Sequence, residues 1–120
     1  MVAGIRLEGI QFVEKGMSIV LNCTATAIDY RPKGVDWFKD GSKIKSDSHV
    51  LITESSDSNV LYSTLEIMRS NMSDAGTYVC RSSKYHVASK KVIVLNSECM
   101  AIRVAKGDCQ EGKPLSLTRV

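Results

Sequence analysis

A chain of 120 residues, 43% apolar and 24% charged, holds one ordinary domain and leaves little for a second. Its net charge of +3 comes from 16 Lys and Arg interleaved with 13 Asp and Glu, which argues against the concentrated basic face of a nucleic-acid binder. No apolar run approaches the roughly 18 residues of a membrane helix, and Met1–Arg6 opens on no apolar stretch of the kind that directs secretion.

Taken in chain order, short apolar–polar alternations separated by turn residues predict strands throughout. Met17–Cys23 places Ile19, Leu21 and Cys23 on one face and Val20 and Asn22 on the other, because successive strand side chains point to opposite sides. Val35–Phe38 is the next strand, turned by Lys39-Asp40-Gly41-Ser42, where Gly41 accepts a positive φ. His49–Thr53 follows, and the polar run Glu54–Asn59 reads as a loop. Leu61–Ile67 alternates again with Leu61, Leu65 and Ile67 inward, and Thr77–Cys80 and Ala88–Leu95 complete the set. No segment combines a helix cap with a 3.6-residue period. Between Lys43 and His49 there is room for one short strand and a turn only.

Two groups of residues are more specific. Cys23, Trp37 and Cys80 recur at the spacing of a Cys…Trp…Cys frame, and Asp74-Ala75-Gly76-Thr77-Tyr78-Val79-Cys80 carries a D-x-G-x-Y-x-C pattern. On these residues, and on Trp37-Phe38-Lys39-Asp40-Gly41 and Ser63-Thr64-Leu65-Glu66-Ile67, the sequence resembles the immunoglobulin superfamily and within it the I-set type. The resemblance covers residues 9–96, with 1–8 as a lead-in and 97–120 as a tail unlike the family. It implies an all-β Greek-key sandwich of two packed antiparallel sheets. It further implies a Cys23–Cys80 disulfide through the core, Trp37 packed on that bridge, and Tyr78 as a tyrosine corner bonded back to the preceding turn. Where the family pairs the Asp74 position with an Arg, this sequence places His49, so the expected pair is weaker and depends on histidine protonation.

The resemblance implies a binding module and no enzyme. His49 and His86 stand in different segments, and neither neighbours a nucleophile and an orienting group. Cys99 and Cys109 have no nearby His to complete a zinc site; they are candidates for a second disulfide within the tail or for pairing with another chain. No cofactor, metal or nucleic acid is expected. By alternation, Asp36, Phe38, Val79 and Arg81 lie on the outward face of the third, sixth and seventh strands, where an aromatic beside Val and Arg has the composition of a protein-binding hot spot. The expected partner is another immunoglobulin-like domain, of the same or a different kind. Arg81, Lys84, Lys90 and Lys91 form a basic hairpin that reads as a solvated edge. Asn22-Cys23-Thr24 and Asn71-Met72-Ser73 are glycosylation acceptor triplets with both asparagines on expected surface. With the cysteine pair they predict an extracellular or cell-surface setting, in adhesion or recognition, and a chain that is a fragment or isoform. The competing expectations are an intracellular structural I-set module of a muscle or cytoskeletal protein and the ligand-binding portion of a receptor. The terminal Thr118-Arg119-Val120 fits a carboxyl-terminal strand-addition motif.

Overall fold

The computed structural model describes residues 4–28, 32–83 and 86–96. Nine strands appear in chain order: β1 (Gly4–Gly9), β2 (Phe12–Glu14), β3 (Ile19–Thr26), β4 (Asp36–Lys39), β5 (Ser42–Lys43), β6 (Val50–Asp57), β7 (Val60–Ile67), β8 (Gly76–Ser83) and β9 (His86–Leu95). A 3-10 turn, Met72–Asp74, is the one helical element among the described residues. One sheet has the order β1-β3-β7-β6 and the other β2-β9-β8-β4-β5. All pairings are antiparallel except β2 with β9, which is parallel and modifies the expected all-antiparallel plan.

The strict alternation of β3 and β7 produces the sandwich. Ile19, Leu21 and Cys23 from β3 are buried, as are Leu61, Ser63, Leu65 and Ile67 from β7. Ile19, Leu21, Cys23, Leu65 and Ile67 form one cluster with Val13, Trp37, Tyr78, Cys80, Val92 and Val94 from the opposing sheet. Cys23 and Cys80 are bonded across the sheets with Cα atoms 6.4 Å apart. Closing a loop of 57 positions removes about 4 kcal/mol of unfolded-state freedom on the chain-entropy model. Trp37 sits beside this bridge, and its indole Nε1 donates to Ser63 Oγ at 2.9 Å, pairing two buried polar groups with each other.

Three expectations change. The lead-in 1–8 is structural over residues 4–8. They belong to β1, which pairs with β3 from Gly4↔Thr26 to Gly9↔Leu21 and packs Ile5 and Leu7 against the core. The run Glu54–Asn59 is mostly strand. β6 continues to Asp57 in full register with β7, and the reversal is confined to Ser58 and Asn59, with Ser58 at φ 56°. As the outer strand of its sheet, β6 exposes polar residues on both faces, so alternation fades there although the backbone ladder persists. The space after Lys43 holds no further strand, and β5 is two residues long. Its turn places Asp40 at φ 49° and Gly41 at φ 89°, the left-handed pair of a tight hairpin.

Candidate protein-docking face

The outward face of the β5-β4-β8-β9 surface is built by register. Asp36 lies opposite Arg81, and Arg81 opposite Val87; Phe38 lies opposite Val79, and Val79 opposite Ser89. Lys43 of β5 stands across from Phe38. Since inward Trp37 and Cys80 pair with each other between these rows, their neighbours point to solvent together. The four residues expected on this face, Asp36, Phe38, Val79 and Arg81, are thereby brought into one patch.

Its electrostatics are organised around Asp36. Arg81 Nη2 donates to Asp36 Oδ2 at 3.3 Å, and Lys43 Nζ lies 3.4 Å from Asp36 Oδ1. Partial desolvation pushes the Asp36 carboxyl up, but the hydrogen bonds and charges of Arg81 and Lys43 together outweigh it and hold the group below the ordinary carboxylate value. The Arg81 guanidinium carbon lies 4.8 Å from the Phe38 ring centroid, a cation–π arrangement. Arg81, the diagonal neighbour of Phe38 on β8, therefore contributes cover to its ring, and Lys43 of β5 stands on its other side. These ion pairs are solvent-exposed and individually worth little, so a partner's carboxylate could draw Arg81 away at small cost.

Val87, 51% exposed, extends the apolar patch onto β9. Sequence reasoning missed it although the signal was present: with Val92 and Val94 inward, Val87 has the opposite parity on the same strand. Towards β2, Phe12 is 55% exposed beside Ile93, and continues the same face to its other edge.

The remaining candidates serve the fold or lie elsewhere. Tyr78 is fully buried, and its hydroxyl donates to the Asp74 carbonyl at 2.5 Å. Asp74 Oδ2 accepts from the Asn71 backbone N–H at 2.8 Å and lies 3.2 Å from His49 Nε2, the pairing its sequence position implied. Gly76 leaves room for the Asp40 carboxylate, which accepts the Thr77 N–H at 3.0 Å. Asn22 is exposed on the outer face of the other sheet, and Asn71 is exposed in the turn before Met72–Asp74. Cys99, Cys109 and Thr118–Val120 lie outside the described residues, as do Lys84 and Tyr85 of the basic hairpin.

Two packed sheets, a disulfide between their central strands, a tryptophan beside it and a tyrosine bonded back to its own turn define an immunoglobulin-type sandwich. The model of the immunoglobulin I-set domain matches residues 7–96, and the chain belongs to that family. It is 39% identical over 66 residues to Hemicentin-1 of Mus musculus, covering 55% of this chain and 1% of that protein. Over 72 residues it is 28% identical to MAM domain-containing glycosylphosphatidylinositol anchor protein 1 of Mus musculus, covering 59% of this chain and 8% of that one. Muscle M-line assembly protein unc-89 of Caenorhabditis elegans is 26% identical over 103 residues, 86% of this chain and 1% of the relative. The chain thus spans a small fraction of these proteins. Among solved structures, Dpr2 Ig1-Ig2 in complex with DIP-Theta Ig1-Ig3 superposes with a TM-score of 0.66 at 21% identity, covering 78% of this chain and 50% of that chain.

Proposed function

We propose that this domain is a non-enzymatic binding module of an extracellular protein, which recognises another immunoglobulin-like domain in cell adhesion or cell–cell recognition. The observation that carries the reading is the patch of Phe38, Val79 and Val87 edged by Asp36, Lys43 and Arg81. It joins apolar area to charges of both signs, and such a surface favours a partner carrying the complementary pattern, a second copy included. That Dpr2 is found in complex with another protein of immunoglobulin domains supports the kind of partner. Resemblance to a glycosylphosphatidylinositol anchor protein and the disulfide support the compartment.

Dense display of the chain on beads tests this, because multivalency reveals weak single-domain contacts. Calcium-independent clumping is expected, abolished by Phe38→Ala and by Arg81→Glu. Clumping indifferent to both substitutions would place the contact on another surface.

One observation favours a second reading, an intracellular module of a muscle filament: the similarity to unc-89 extends over 86% of this chain. A Cys23–Cys80 pair found reduced in cells would favour it, and a sugar on Asn71 would remove it.

A further inference from the structure

The outer face of the β1-β3-β7-β6 sheet presents a second problem. It exposes Val20 (41%), Tyr62 (44%) and Leu51 (45%) together on one face. At its middle stands Asn22, between Glu8 of β1 and Thr64 of β7. We infer that Asn22 carries an N-linked oligosaccharide, attached before the Cys23–Cys80 bridge closes, and that its first sugars cover Val20 and Tyr62. The inference rests on the extracellular reading and adds to it which sheet remains open for a partner.

Geometry supports the acceptor. Thr64 Oγ1 donates to Asn22 Oδ1 at 2.8 Å, which engages the amide oxygen and not Nδ2, the atom that bears a sugar. Thr24, the hydroxyl residue of the triplet, shares this outer face, since both it and Asn22 alternate with buried Cys23. Val20 is two residues from Asn22 on the same face, and Tyr62, opposite Thr24, is its diagonal neighbour; both lie about 7 Å away by strand geometry. A pyranose ring on Nδ2 spans that distance, and its apolar C–H face suits an aromatic ring.

The order of events follows from the same residues. In the folded domain β3 is hydrogen-bonded on both sides, by β1 and β7, and Cys23 between the acceptor and Thr24 is buried and bonded to Cys80. A transferase must draw the acceptor segment into its own cleft, which a central strand pinned by a disulfide does not permit. The transfer itself is a substitution. Asn22 Nδ2 bonds to the anomeric carbon of a lipid-pyrophosphate-linked oligosaccharide, the carbon–oxygen bond to pyrophosphate breaks, and the amide gives up one proton to a base. No electrons are exchanged with an oxidant.

The test uses the full chain delivered to the endoplasmic reticulum behind an added leader, with occupancy at Asn22 and Asn71 read by peptide mass spectrometry. Sugar on Asn22 is expected, with occupancy at least twofold higher when dithiothreitol delays disulfide formation or when Cys80→Ser prevents it, while Asn71 changes little. The Asn22→Gln chain is expected to be retained longer than the glycosylated chain on a hydrophobic matrix. An unmodified Asn22 under both conditions overturns the inference, and so does an occupancy indifferent to the disulfide; equal retention removes the covering role. Failure of the compartment reading looks different. In chain recovered from its own cells it would appear as reduced Cys23 and Cys80 with both asparagines bare.

Discussion

Trp37 illustrates how a single side chain makes two demands on the opposite sheet. Its ring fills volume beside the disulfide, and its N–H needs an acceptor in a place without water, which Ser63 supplies from β7. Truncation in Trp37→Ala is expected to cost about 3–5 kcal/mol through the cavity it leaves. Ser63→Ala leaves the indole N–H without its partner and is expected to cost about 1–3 kcal/mol; urea unfolding of both variants checks the ranking. Tyr78 makes a prediction in pH. Burial first, and then the carboxylates of Asp74 and Asp40, push its hydroxyl well above the ordinary tyrosine value. The folded state therefore holds this proton more tightly than the unfolded chain. Its contribution to stability is complete below about pH 10, the unfolded value, and is lost as pH rises beyond it. Urea midpoints between pH 8 and 12 are expected to fall less steeply for Tyr78→Phe than for the parent, although Phe lowers the neutral-pH midpoint by removing the bond to Asp74.

At the scale of elements, the hairpin of β4 and β5 and the start of β8 are joined through one carboxylate. Asp40 occupies the left-handed turn position and accepts the Thr77 N–H, which with the Lys39 ammonium holds its pKa below the ordinary carboxylate value. The missing side chain of Gly76 makes this possible, since a Cβ there would stand 2.6 Å from Asp40 Oδ2. Gly76→Ala is expected to displace the carboxylate and cost about 1 kcal/mol or somewhat more. Faster exchange of the Thr77 amide, read by hydrogen–deuterium exchange, identifies the lost bond as the cause. The glycine of the D-x-G-x-Y-x-C pattern was legible as a motif, but its contact with a turn far away in sequence was not. The same limit applies to β1 and the outer half of β6. β1 alternates over Ile5-Arg6-Leu7-Glu8 alone and the outer half of β6 not at all, and each becomes a strand beside a longer-patterned neighbour, β3 or β7, that offers a complete row of hydrogen-bonding groups.

At the scale of the whole molecule, the disulfide and the two sheet faces divide the work. Reduction of Cys23–Cys80 is expected to lower unfolding free energy by about 2–5 kcal/mol, measured as denaturant midpoints with and without a reductant. A domain that stays cooperatively folded after reduction would suit a reducing compartment as well as an oxidising one. The two outer faces differ in chemistry: one gathers Phe38, Val79 and Val87 within an ionic edge, and the other centres on Asn22 of the Asn22-Cys23-Thr24 triplet. A protein-docking face and a sugar-bearing face on opposite sides of one sandwich would orient the domain towards its partner.

The sequence by itself determined strands throughout, because period-two alternation is a local property, and its resemblance to the immunoglobulin superfamily at Cys23, Trp37, Cys80 and the D-x-G-x-Y-x-C run implied the sandwich. It also determined that Asp36, Phe38, Val79 and Arg81 share a face, since parity relative to Trp37 and Cys80 fixes the side of the sheet. Only the tertiary structure decided the rest. Register places Arg81 over Phe38 and against Asp36, adds Val87 from the next strand, and supplies Ser63 to Trp37. These are distances between strands, and a strand's own sequence encodes which way its side chains point but not which neighbour stands opposite.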